Sequence, residues 1–74
     1  MTGNEAIREV AKRRDLKQVE ISSKLGVKPN VLSERMRQKN ITISKLDEIM
    51  EAMDYKIVIV PGDARLPDGG YEIE

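Results

Sequence analysis

Apolar residues recur along this chain at a helical spacing up to about residue 54 and at a denser, strand-like spacing after it. Ile7, Val10 and Ala11 stand three and four positions apart, which puts them on one face of a helix, while Arg8, Lys12 and Arg13 point elsewhere. That helix is entered at Thr2 or Asn4, and Glu5, three residues after Thr2, offers the second half of a capping box. Ile21 and Leu25, one turn apart, predict a second helix from about Lys17 to Leu25, with Ser22 small enough to let another helix approach closely. Gly26 ends it, because glycine takes the positive φ of a tight turn at little steric cost.

Pro29 suits the first position of a third helix over about residues 29–37, where its missing N–H would have no partner. At 100° per residue, Leu32 and Met36 share one face, and Asn30, Ser33, Glu34 and Arg37 gather on the opposite one. The stretch TISKLDEIMEAM predicts a fourth helix with Thr42 as N-cap and Ile43, Leu46, Ile49, Met50 and Met53 as a continuous stripe. From Tyr55 the β-branched run YKIVIV, halted by Pro61, predicts a strand over 55–60. Tyr55, Ile57 and Ile59 would face one way and Val58 and Val60 the other, so both faces need cover. GDARLPDGG is rich in turn residues, and YEIE at 71–74 is either a short returning strand or a frayed tail. The expected fold is therefore mainly α with a C-terminal β segment: four helices over 1–54, then a strand or short hairpin at 55–74 within the same compact unit.

Seventy-four residues allow one domain with a modest core. The chain has no Cys and no His, which removes disulfides, thiolate nucleophiles and the commonest metal ligands, so no cofactor or metal is expected. Three of the four Met lie in or beside helical apolar stripes, Met36, Met50 and Met53, and read as core packing, not as a soft-metal site. Catalysis is equally unpromising, since Asp47, Glu48 and Glu51 sit on an exposed helix face with no His, Cys or phosphate loop beside them. No run approaches the roughly 18 apolar residues of a membrane span, and the expectation is a cytoplasmic protein with no membrane partner. The formal net charge of zero conceals a division: residues 1–40 carry ten Lys/Arg against five Asp/Glu, and residues 41–74 carry three against eight. Such asymmetry suits a protein whose first half meets a polyanion.

A helix, a glycine turn and a second helix with a polar outer face form a helix-turn-helix arrangement. Gln18 opens its first helix, the small Ser22 follows four residues later, Gly26 four after that, and Leu32 supplies the buried position of the next helix. With these residues in place, positions 5–55 resemble the helix-turn-helix family of phage repressors and Cro proteins (Xre-like). LGVKPNVLSERM is similar to that family's turn and recognition helix, and ITISKLDEIMEAMDY to the helix after it. The chain departs from the family's pattern at five places. Lys17 and Lys28 stand where a Ser or Thr cap is common, Arg35 where a buried apolar residue is usual, Ser22 where Ala is commoner, and a strand is expected in place of the fifth helix.

The resemblance implies that the third helix lies in the major groove of double-stranded DNA. Asn30 would make the bidentate contact to an adenine edge, Glu34 would accept from a cytosine amino group, Ser33 would serve as donor or acceptor, and Val31 would touch a thymine methyl. Gln18 would grip the phosphate backbone and brace the recognition helix. Lys17, Lys28, Pro29, Arg37, Lys39 and Asn40 would complete the footprint, the cations among them setting affinity and salt sensitivity. One recognition helix reads few base pairs, so a two-fold operator and a homodimer are expected. The dimer contact is assigned to Tyr55, Ile57, Val58, Ile59 and Val60, by strand pairing or sheet packing. The expected function is a dimeric repressor from a phage or mobile element, associated with the nucleoid when bound. The alternative is an antitoxin-like or adaptor module that binds a protein partner through the C-terminal segment.

Overall fold

The computed structural model describes residues 1–73. It contains four helices: α1 (Gly3–Arg13), α2 (Gln18–Leu25), α3 (Pro29–Arg37) and α4 (Ile43–Ala52). Thr2, rather than Asn4, caps α1. Its hydroxyl accepts from the Glu5 N–H at 3.2 Å while the Glu5 carboxylate accepts from the Thr2 N–H at 3.0 Å, so two of the helix's orphan donors are satisfied reciprocally. Asn4 lies inside the helix and donates its amide to the Gln38 carbonyl, tying α1 to the loop between α3 and α4. Beside it, a side chain at Gly3 would bring Cβ to 2.9 Å from Ile41 Cγ2, so glycine is what lets α1 start against that loop.

Gly26 closes α2 at φ 74°, and the Val27 N–H reaches back to the Ser22 carbonyl at 3.0 Å, a Schellman turn that reverses the chain within two residues. Thr42 caps α4 by accepting from the Lys45 N–H at 3.2 Å. The core gathers Ile7 and Val10 of α1, Ile21 of α2, Leu32 and Met36 of α3, and Leu46, Ile49 and Met50 of α4, with Met53 just beyond. α2 packs on α3 and α4, and α1 packs on α4. Ser22 is the buried polar residue of this core, and its hydroxyl donates to the Val19 carbonyl at 3.0 Å, so its burial leaves no unmet donor.

The C-terminal β segment expected from the sequence is absent: no residue among those described is in a strand. A strand exists only when its N–H and C=O groups meet a second strand, and here residues 71–73 form no ladder with 55–60. Glu74, part of the expected return, lies outside the described residues. Instead, the Tyr55 N–H closes the end of α4 on the Met50 carbonyl at 2.9 Å, with Asp54 at φ 63°. The following arm is held by side-chain docking. Tyr55, Ile57 and Tyr71 pack on the core, the Tyr55 hydroxyl donates to the Gly69 carbonyl at 3.0 Å, and the Met1 ammonium donates to the Glu72 carbonyl at 3.3 Å. Two apolar positions also depart from expectation. Ile43 is 75% exposed because it sits on the first, open turn of α4, and Ile59 is 99% exposed, off the face that Tyr55 and Ile57 share.

Candidate nucleic-acid interface

The two helices of the turn start differently from the two that flank them. α1 and α4 begin at Thr2 and Thr42, whose hydroxyls accept backbone N–H groups. α2 and α3 begin at Lys17 and Lys28, whose ammonium groups are donors and cannot accept one. In α2 the Glu20 carboxylate accepts the Lys17 N–H at 3.1 Å, leaving the N–H groups of Gln18 and Val19 without an intrahelical acceptor. In α3, Pro29 brings no N–H, and Asn30 carries the first free one. Each start thus joins a lysine, outward N–H groups and the positive end of a helix dipole, the combination that suits a phosphate oxygen.

α3 turns Leu32 and Met36 into the core and leaves Asn30, Glu34 and Arg37 exposed on the opposite side. Lys17, Gln18, Lys28, Pro29, Lys39 and Asn40 are also exposed. Val31 and Ser33, expected to touch bases, are half-buried and sit at the flanks of the outer face. Glu34 and Arg37 pair along the helix at 3.2 Å. Lys39 and Asn40 lie in the loop after α3, which the Asn4 amide N–H anchors by donating to Gln38; the oxygen of the same amide is buried without a partner.

Arg35 has a structural task that the sequence pattern did not disclose. Its side chain is only 18% exposed and directs Nη1 to the Glu48 carboxylate at 3.9 Å, while Lys45 Nζ reaches the same oxygen at 3.4 Å. Met36 takes the buried place beside it. The Arg35 head thus approaches α4, while buried Leu32 and Met36 fix the inner face of α3 and leave Asn30 and Glu34 outward. The available signal was Arg35 at an apolar position thirteen residues before a carboxylate that the fourth helix leaves exposed.

Of the residues assigned to a dimer contact, Tyr55 and Ile57 are half-buried against the core, whereas Val58, Ile59 and Val60 are exposed. The Glu5 carboxylate is held below its ordinary value first by the Thr2 N–H and then by the Thr2 hydroxyl, at the cap of α1 and away from α3. Among the described residues no group of three His, Cys, Asp or Glu is placed to hold a metal, and no helix is long and apolar enough to cross a membrane. No protein-family model, curated protein or solved structure matches the chain.

Proposed function

We propose that the chain is a sequence-specific double-stranded-DNA-binding regulator, a repressor that acts as a dimer with α3 in the major groove. The observation that carries this reading is one surface: the exposed Asn30–Glu34–Arg37 face of α3 beside two lysine-started helices whose N–H groups are uncapped. Asn30 reads an adenine edge and Glu34 a cytosine amino group, while Gln18, Lys17, Lys28, Lys39 and Asn40 hold phosphates. Two copies place two such faces about one turn of DNA apart. The exposed side chains of Val58, Ile59 and Val60 supply their contact, by side-chain packing and without a ladder.

Fluorescence anisotropy with the duplex upstream of the protein's own gene and a scrambled duplex, each at two salt concentrations, tests the reading. A preference for the native duplex that survives near-physiological salt is the expected result. Equal binding to both that disappears with salt would reduce the surface to an electrostatic patch. A second reading, an antitoxin-like or adaptor module, is favoured by the exposed apolar side chains of the arm, Ile59 above all. Copurification of a protein partner that depends on residues 55–73, together with no duplex preference, would install it instead.

A further inference from the structure

The pairing of Glu34 with Arg37 gains little for the fold. Both side chains are more than two-thirds exposed, at 71% and 74%, and an exposed ion pair three residues apart on a helix contributes little to stability. It also puts a carboxylate at the centre of the face meant for a polyanion, where an unpaired negative charge opposes binding. With the Arg37 Nη1 at 3.2 Å from Glu34 Oε1, the two form a unit of zero net charge flanked by the cations Lys28 and Lys39. The flanks attract DNA of any sequence, and the centre does not.

A carboxylate beside a guanidinium presents an acceptor next to a fork of donors. The major-groove edge of a cytosine·guanine pair presents the complement: the cytosine N4 amino donor next to the guanine O6 and N7 acceptors. We propose that Glu34 and Arg37 read one C·G base pair as a pre-paired unit, Glu34 accepting from cytosine N4 and Arg37 donating to guanine O6 and N7. Arg37 thereby moves from the phosphate-holding set to the base-reading set. Thymine and guanine at the position read by Glu34 would set O4 or O6 against its carboxylate, so the unit selects by repulsion as well as by attraction. The spacing of three residues already puts the carboxylate and the guanidinium side by side on one helix face, as the two edges of the base pair require. This inference rests on the DNA-binding reading above and adds the base pair and the residue couple that reads it.

The test is selection of bound duplexes from a randomised library by the wild type, E34Q, R37M and the double variant, followed by titration of the enriched site and of its single-base-pair substitutions. The wild type is expected to enrich a C·G pair at one fixed position of each half-site, preferring it by ~10- to 100-fold over other pairs. E34Q and R37M should each lose discrimination at that position alone, and the double variant should lose no more than the stronger single one, since the couple acts as one reader. E34Q should also bind unrelated duplex more tightly, having lost the central negative charge. Enrichment of a site without the fixed C·G pair, or additive losses spread over several positions, overturns the inference while leaving DNA binding intact. If the wild type enriches no sequence at all, the DNA-binding reading falls, and this inference with it.

Discussion

Residues 1–54 and residues 55–73 differ in outcome although both are rich in apolar side chains. Among the described residues, every buried apolar side chain lies between Ala6 and Met53, and the arm contributes none. The arm even has the more concentrated run, IVIV at 57–60, and three of those four side chains stay exposed. A helix satisfies its backbone within itself, so α1–α4 need only bury one stripe each. An extended segment leaves its N–H and C=O groups open until another strand arrives, and this chain folds none against it. In this chain full burial goes to the helices and the end of α4, while the arm only leans Tyr55, Ile57 and Tyr71 on that core.

Substitutions on the two sides should separate the regions sharply. Leu32, with no exposure in the core, is expected to cost about 2–5 kcal/mol on change to Ala, while Ile59→Ala, at 99% exposure, should stay within about 0.5 kcal/mol. Urea unfolding of both variants checks this, and equal costs would mean that the arm is part of the cooperative unit. Next in size is Gly26→Ala, which forces a side chain into φ 74° and is expected to cost about 1–2 kcal/mol in the same assay. The helical body itself divides at its helix starts. Thr42→Ala should lower stability by about 1 kcal/mol, whereas Lys17→Ser, which supplies a cap where none exists, should raise it by up to about 1 kcal/mol. If Lys17 holds a phosphate, that same variant binds duplex DNA more weakly, with its salt slope reduced by about 1. Tighter binding by Lys17→Ser would show that the α2 start was never a phosphate site.

The smallest expected effect concerns pH. The Glu5 carboxyl is held below its ordinary value of 4.5 by the Thr2 N–H and hydroxyl, so the folded state favours the ionised form. Its contribution is present above the unfolded value of 4.5 and is lost as pH falls through the lower folded value. Melting temperatures of the wild type and Glu5→Gln should therefore differ most at neutral pH and converge below pH 4.5. A constant gap down to pH 3 would place the contribution elsewhere. Full exposure of the cap keeps the difference small.

Much of the helical body was legible because its signals are local. Thr2 with Glu5, Gly26, Pro29 and Thr42 each work within one turn of the backbone, and each sits where its chemistry requires. Leu32 and Met36 were readable as the inner face of α3, which also located Asn30, Glu34 and Arg37 on the outer one. Arg35 was not legible as a tie to α4, because its partner Glu48 lies thirteen residues away and only the packing of the two helices brings them within 3.9 Å. Nor was the half-burial of Val31 and Ser33, which flank buried Leu32 on either side.

By itself, then, the sequence determined four helices, the Thr42 cap, the Gly26 turn and most of the inner faces, Ile43 excepted, since a helix is a relation between residues three and four apart. Tertiary structure alone decided the fate of residues 55–60. Their β-branched composition permits a strand, but a strand is a relation between two segments, and the returning segment meets this one through the Tyr55 side chain on Gly69, and Met1 on Glu72, without a ladder. It also brought Arg35 of α3 within 3.9 Å of Glu48 of α4, a meeting of two helices that no local pattern encodes.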